Sequence, residues 1–202
     1  MKPRNDPLLV ATTNRGKARE IAAALRGFPF RILTLDELGL RAVCPEHGAT
    51  FERNARDKSL FYSGRSGHLT LAEDSGLEIA SLGKAPGVRS ARFSGPGATD
   101  EKNIRKVLAL LRGMPRERRR ARFVCAMALA RDGRIIKVAR GQVRGTIAPE
   151  KRGELGFGYD PIFYYHPMRK TFGELAPEIK NGISHRGRAL ARIREFFGAS
   201  EG

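Results

Sequence analysis

Three short segments carry the side chains best suited to chemistry. In Thr12-Thr13-Asn14-Arg15-Gly16-Lys17, an apolar run hands over to a helical pattern. The unpaired N–H groups and dipole of a helix start favour an anion there, and Lys17 adds a mobile positive charge. The spacing of a Walker loop is absent, and an ordinary Asn/Gly turn with a solvated lysine has the same pattern. In Glu73-Asp74-Ser75-Gly76, adjacent carboxylates offer oxygen ligands to a hard cation such as Mg²⁺ and a means of activating water. Successive strand residues point to opposite faces, so only one of the pair enters a given site, and an acidic turn alone has the same composition. In Gly156-Phe157-Gly158-Tyr159-Asp160-Pro161, an aromatic between glycines can offer its face to a planar base. Asp160 and, downstream, Lys180 and Ser184-His185-Arg186 supply the acceptor and donors that read base edges. Core packing of Phe157 and Tyr159 is the alternative.

The elements that must position these groups follow from hydrophobic spacing. Leu8 to Thr13 reads as a buried strand, Lys17 to Leu25 as a helix and Phe30 to Leu35 as a second strand, a βαβ opening. Residues 39–49 read as a loop, and Thr50 caps a helix to about Ser63. Leu69 to Ala72 is a short strand ending in the acidic turn. Gly83 to Gly97 is irregular. A helix capped by Thr99 or Asp100 runs through Ile104 and Leu108 to Gly113. Ala121–Arg131 and Arg134–Val143 are strands joined by Asp132-Gly133, a strong hairpin signal. Residues 145–161 form a glycine-punctuated loop before a strand at Pro161 to Tyr165, and Thr171–Ala176 and Arg186–Phe197 read as helices. The fold class is α/β with a mixed sheet.

The 202 residues carry 38 Lys plus Arg against 21 Asp plus Glu, a net charge of +17 that attracts anions: nucleotides, nucleic acid or anionic membranes. The 41% hydrophobic content excludes a wholly disordered chain. The apolar run after Met1–Pro7 is too short for a signal-peptide core, and no span is long enough for a transmembrane helix. Cys44 and Cys125, far apart and without zinc spacing, read as reduced thiols in a cytoplasmic protein. A single domain over residues 1–202 is expected, since no linker or repeat breaks the chain. Arg116-Glu117-Arg118-Arg119-Arg120-Ala121-Arg122 would suit nucleic acid, but no aromatic interleaves it, and a solvated basic loop is the simpler reading.

Taken together, these motifs resemble the Ham1-like family of inosine/xanthosine triphosphate pyrophosphatases. The resemblance rests on Thr12 to Lys17, Thr50-Phe51 with Asn54-Ala55 and Lys58, Glu73 to Leu77, Ala85-Pro86-Gly87 with Ser90-Ala91-Arg92, Gly156 to Phe163, and Lys170-Thr171-Phe172 through Ser184-His185-Arg186. It implies an elongated mixed β-sheet flanked by helices, two lobes with a central substrate cleft, and a homodimer. It also implies cleavage of ITP, dITP or XTP to monophosphate and pyrophosphate with Mg²⁺, without a specific nucleic-acid or membrane partner. By matching position, Thr12, Thr13, Asn14, Arg15, Gly16 and Lys17 would hold phosphates. Asp74 would accept a proton and bind the metal with Glu73, and Ser75 would touch substrate. Phe157 would stack on the base, Gly158 and Tyr159 beside it would also bind substrate, and Asp160, Lys180, His185 and Arg186 would surround the base edge. A 6-oxo purine suits those donors, whereas the 6-amino group of adenine would meet them donor to donor.

One position departs from the pattern. Arg53 stands where the family has a metal-binding Glu, and Glu52 lies one helical step, roughly 100°, away. A guanidinium there could contact phosphates but not anchor Mg²⁺, which leaves open a nucleotide-binding relative with impaired turnover. Glu73 likewise replaces the more usual Asp.

Overall fold

The computed structural model describes residues 7–28 and 30–198; Met1–Asp6, Pro29 and residues 199–202 lie outside the described residues. The first element is β1, Leu8–Ala11, with all four residues buried. Helix α1, Arg15–Ala24, begins at Asn14, whose side chain accepts from Lys17 N. Strand β2, Ile32–Thr34, lies parallel to β1, with Leu8 opposite Ile32. Helix α2, Phe51–Ser66, is capped by Thr50 and closed by Gly67 in the left-handed conformation.

Strand β3 is longer than its apolar pattern suggests. It runs Leu69–Ile79, straight through the acidic segment expected to be a turn. Tertiary packing overrides the low strand propensity of these residues: Glu73 and Asp74 are both buried. Gly76 lets the chain at Gly87–Ser90 press close, since a Cβ on it would lie 2.3 Å from Ser90 Oγ. Beyond it, a stretch of irregular chain and 3₁₀ turns leads to α3, Asp100–Leu110, capped by Thr99.

Strands β4, Arg120–Arg131, and β5, Arg134–Ile147, are joined by Asp132-Gly133, both at positive φ, as a two-residue hairpin turn requires. Short strands β6, Phe163–Tyr165, and β7, Lys170–Thr171, pair antiparallel. The helix expected over Thr171–Ala176 is a single 3₁₀ turn, Phe172–Glu174, opened by a capping box at Thr171 and followed after Leu175 and Ala176 by Pro177. That proline opens α4, Pro177–Ile183, which hydrophobic spacing alone does not reveal. Helix α5, His185–Gly198, closes the described chain.

The seven strands form one mixed sheet in the order β2-β1-β3-β4-β5-β6-β7, flanked by helices. By compactness the chain divides into two units. Unit 1 holds the residues up to Asp74, Cys125–Gly141 and those from His185; unit 2 holds Ser75–Val124 and Gln142–Ser184. The chain passes between the units in mid-strand at β3, β4 and β5, which is why no linker is legible in the sequence.

In unit 1, side-chain alternation sorts the core onto two faces. Leu8, Val10, Leu69 and Leu71 pack with Ile21 of α1 and Ala189, Leu190 and Ile193 of α5. Leu9, Ala11 and Ala72 pack with Tyr62 of α2. Unit 2 buries Leu77, Ile79, Ile104, Val107, Phe123, Val143, Phe163 and Phe172 in its own core.

The basic run is only partly solvated. Arg119 is buried and its guanidinium donates to the carbonyls of Ile147, Leu111 and Ala148 at 2.8, 2.7 and 2.9 Å. It therefore closes the C-terminal turn of α3 rather than facing a polyanion. Among the described residues, no helix is long and apolar enough to cross a membrane, and both cysteines are unbridged.

Candidate active site

The predicted site residues gather into two clusters, one in each unit. In unit 1 the strand alternation that sorts the core also sorts the charges. Glu73 follows Leu69 and Leu71 onto the α1 and α5 face, while Asp74 follows Ala72 onto the α2 face.

On the first face, the Glu73 side chain is fully buried and accepts from three elements. Lys17 Nζ of α1 stands 2.7 Å away, Arg186 Nε of α5 3.0 Å, and the Cys125 thiol of β4 3.1 Å. Arg186 also pairs with Glu20. Burial alone would raise Glu73, but the charges of Arg186 and Lys17 hold its carboxyl well below the usual range. Burial opposes the Arg186 charge, and Glu73 and Glu20 more than compensate, raising its pKa. Burial and the Glu73 charge push the Cys125 thiol well up, so it stays a neutral donor. His185 is buried beside Arg186 at the start of α5.

On the second face, Asp74 is 5% exposed and its Oδ2 accepts from Asn54 Nδ2 at 2.8 Å. Asn54 is held in turn by Gly48 N, which donates to its Oδ1 at 2.8 Å. Lys58 donates to Glu73 O at 3.1 Å and pairs with Glu46. Burial, with a further contribution from the Glu46 charge, raises the Asp74 carboxyl above the ordinary aspartate value, against the opposing pull of Lys17, Asn54 and Lys58.

At the start of α1, Thr13, Asn14 and Arg15 are exposed, and Thr12 Oγ1 accepts from Asn14 N at 3.2 Å. Arg53 lies elsewhere: its side chain is 69% exposed and pairs with Asp57 one turn on, at 2.7 Å.

Unit 2 holds Ser75, Phe157, Gly158, Tyr159, Asp160 and Lys180. Asp160 and Lys180 form a buried ion pair. Asp160 Oδ2 also accepts from Phe157 N at 2.9 Å, and Lys180 Nζ sits 4.8 Å from the Phe157 ring centroid. Gly156, at φ +80°, permits this turn, since a Cβ there would lie 2.2 Å from Asp160 Oδ2. Phe157 is half-buried. Tyr159 is buried, its OH donating to Ser90 O at 2.8 Å, and burial raises its phenol. Ser90 Oγ accepts from Leu77 N at 2.9 Å and donates to Gly87 O at 2.6 Å. The Ser75-Gly76-Leu77, Gly87–Arg92 and Gly156–Phe163 motifs thus interlock. The Asp100 carboxylate receives Gly158 N at 2.7 Å.

Sequence reasoning missed Glu20, Glu46, Asp100 and Cys125. Glu20 stands three residues after Lys17 in a helix and so shares its face, a signal that was legible. Glu46, in an irregular loop, left none. The expected pairing of Glu73 with a cation meets a carboxylate already engaged by Lys17, Arg186 and Cys125.

The Ham1 family model matches residues 8–196. A dITP/XTP pyrophosphatase of Syntrophobacter fumaroxidans is 45% identical over 190 residues, covering 94% of this chain and 81% of that protein. One of Bacillus subtilis is 42% identical over 191 residues, covering 95% and 96%. Among solved structures, a Staphylococcus aureus Ham1 protein superposes with a TM-score of 0.86 at 37% identity, covering 96% of this chain and 99% of that one.

Proposed function

The chain belongs to the Ham1 family, and from that premise we propose that it hydrolyses the non-canonical purine nucleoside triphosphates ITP, dITP and XTP to monophosphate and pyrophosphate, clearing them from the nucleotide pool. The observation that carries the catalytic assignment is Asp74, a buried carboxyl raised above its ordinary value and oriented by Asn54. A carboxylate raised in this way is a stronger base than an ordinary aspartate and is suited to accept a proton from water. A water that passes its proton to Asp74 attacks the phosphorus next to the sugar; the new P–O bond forms as the bond to the bridging oxygen breaks and pyrophosphate leaves with that oxygen.

Around this step the unit 1 cations act on the phosphates. Lys17, Lys58 and the N-terminus of α1, from Thr12 to Gly16, stabilise negative charge that builds in the transition state. In unit 2, Phe157 offers a half-buried ring to the base, fixed from below by the Asp160–Lys180 pair. His185 is the donor proposed for a 6-oxo group and Ser75 supplies a hydroxyl for substrate, whereas Arg186, expected beside His185, spends its guanidinium on Glu73 and Glu20.

A divalent cation fits at Asp74. Its carboxylate lies under the influence of Lys17 and Lys58 as well as Glu46, so it offers one oxygen donor in surroundings poor in protein ligands, and no group of three or more such ligands exists among the described residues. Asp74, with Glu46 near, would hold Mg²⁺ through few protein oxygens, the remainder coming from phosphates and water. When bound, it would supply Lewis-acid charge to the phosphates. Arg53, paired outward with Asp57, does not enter that site and supplies no carboxylate to it, so a relative with impaired turnover is the alternative that Arg53→Glu decides.

A single catalytic domain, a homodimer and a cytoplasmic location accompany this proposal on the strength of the family, and sedimentation of the purified protein checks the dimer. Product analysis in ¹⁸O-labelled water tests the reaction. Label in IMP with unlabelled pyrophosphate is expected, and phosphate released one group at a time would overturn it.

A further inference from the structure

We propose that Glu73 is a positioning residue that holds Lys17, through a network shared with Arg186, and is not a metal ligand. The inference rests on the pyrophosphatase reading and concerns how its phosphate-binding lysine is kept in place.

Three donors from α1, α5 and β4 converge on one carboxylate: Lys17, Arg186 and Cys125, at 2.7, 3.0 and 3.1 Å. A carboxylate has about four acceptor positions, so these contacts leave little room for a metal. The charges also close on themselves. Lys17 and Arg186 are balanced by Glu73 and Glu20, and a divalent cation at Glu73 would face two buried or half-buried positive charges at close range.

The four charged members differ in exposure. The Glu73 side chain is 0% exposed and that of Arg186 2%, Glu20 is 12% exposed, and the ammonium-bearing Lys17 17%. Arg186 and the strand therefore form the fixed part, and Lys17 is the flexible arm. A free lysine surrenders about 1.5–2 kcal/mol of rotamer entropy when it is immobilised on a ligand. Glu73 immobilises it beforehand, so triphosphate meets a pre-organised ammonium.

A charge-only role would act in the opposite direction, because removing a negative group beside Lys17 would tighten anion binding. The test is Glu73→Gln, measured for KM and kcat with ITP, for tripolyphosphate affinity by calorimetry without metal, and for Mn²⁺ affinity by electron paramagnetic resonance at saturating tripolyphosphate. A rise of about 10- to 30-fold in KM and in the tripolyphosphate Kd is expected, matching the lysine entropy above, with kcat changed less than threefold and Mn²⁺ affinity within twofold. In a Lys17→Met background the same substitution adds nothing, since the two act as one unit.

Glu73→Asp keeps the charge and serves if the Gln variant does not fold; a smaller rise in KM with unchanged Mn²⁺ affinity is expected. A tenfold loss of Mn²⁺ affinity in either variant, an unchanged or lower KM, or additivity with Lys17→Met overturns the proposal. If the wild type leaves ITP intact, the functional reading fails, while the tripolyphosphate and Mn²⁺ titrations still decide the role of Glu73.

Discussion

Asp74 in unit 1 and Asp160 in unit 2 are both buried carboxylates on motifs that the sequence singles out, yet their surroundings push them apart. Asp160 is ion-paired with Lys180 and takes a backbone N–H from Phe157, which locks it as an acceptor. Asp74 takes a neutral amide from Asn54, and burial with the Glu46 charge outweighs the cations near it. The paired carboxylate builds shape, holding a ring and a turn. The one whose charge is only partly compensated is free to take up a proton. Burial alone does not mark a catalytic acid or base; what the burial leaves uncompensated does.

Exchanging the chemistry of each carboxylate breaks this comparison. Asp74→Asn is expected to lower kcat by on the order of 10³, the usual weight of a positioned base. It should also remove the acid limb of the pH–rate profile, which in the wild type rises with pH through a pKa above that of ordinary aspartate. The same shift fixes a stability sign. A carboxyl whose folded pKa exceeds its unfolded value contributes stability that is full below the unfolded pKa and is lost as pH rises through the folded pKa. Asp74→Asn should therefore raise Tm at neutral pH, by about 2–4 °C for each kcal/mol relieved. An unchanged or lower Tm would mean that Asp74 is a structural acid like Asp160.

In unit 2, Lys180→Met should cost stability instead, about 3–5 kcal/mol from stranding Asp160. Denaturant unfolding reads this, and a loss under about 1 kcal/mol would contradict the assignment of that pair as structural. Phe157→Ala sharpens the contrast from the substrate side. A lost stacking face is worth about 1–3 kcal/mol, so kcat/KM for ITP should fall roughly tenfold or more while Tm scarcely moves. The smallest effect is expected at Arg53. As an exposed ion pair with Asp57 it is worth about 0–1 kcal/mol, and Arg53→Glu should alter neither kcat nor metal affinity by more than about twofold.

The parts of the fold that were legible are those set by neighbours in sequence. Thr50 and Thr99 cap helices as their types demand, and Asp132-Gly133 turns the β4–β5 hairpin. The illegible parts are set by contacts distant in sequence. Glu73-Asp74 sits inside a strand because Arg186, 113 residues away, and Asn54, 20 residues away, satisfy the two carboxylates. Arg119 is a buried clamp because three carbonyls reach it, which its basic neighbours disguise. Of the site, the residue types were legible, and strand alternation correctly separates Glu73 from Asp74. Which of the two keeps its charge compensated was not, since that depends on α5 folding back against β3.

The most direct measurement is a parallel product analysis of ITP and ATP, with and without Mg²⁺. IMP and intact pyrophosphate from ITP, formed only with metal, are predicted, with ATP turned over at least about tenfold more slowly, the cost of one mismatched donor pair. Equal rates on ITP and ATP, or stepwise release of inorganic phosphate, would contradict the account.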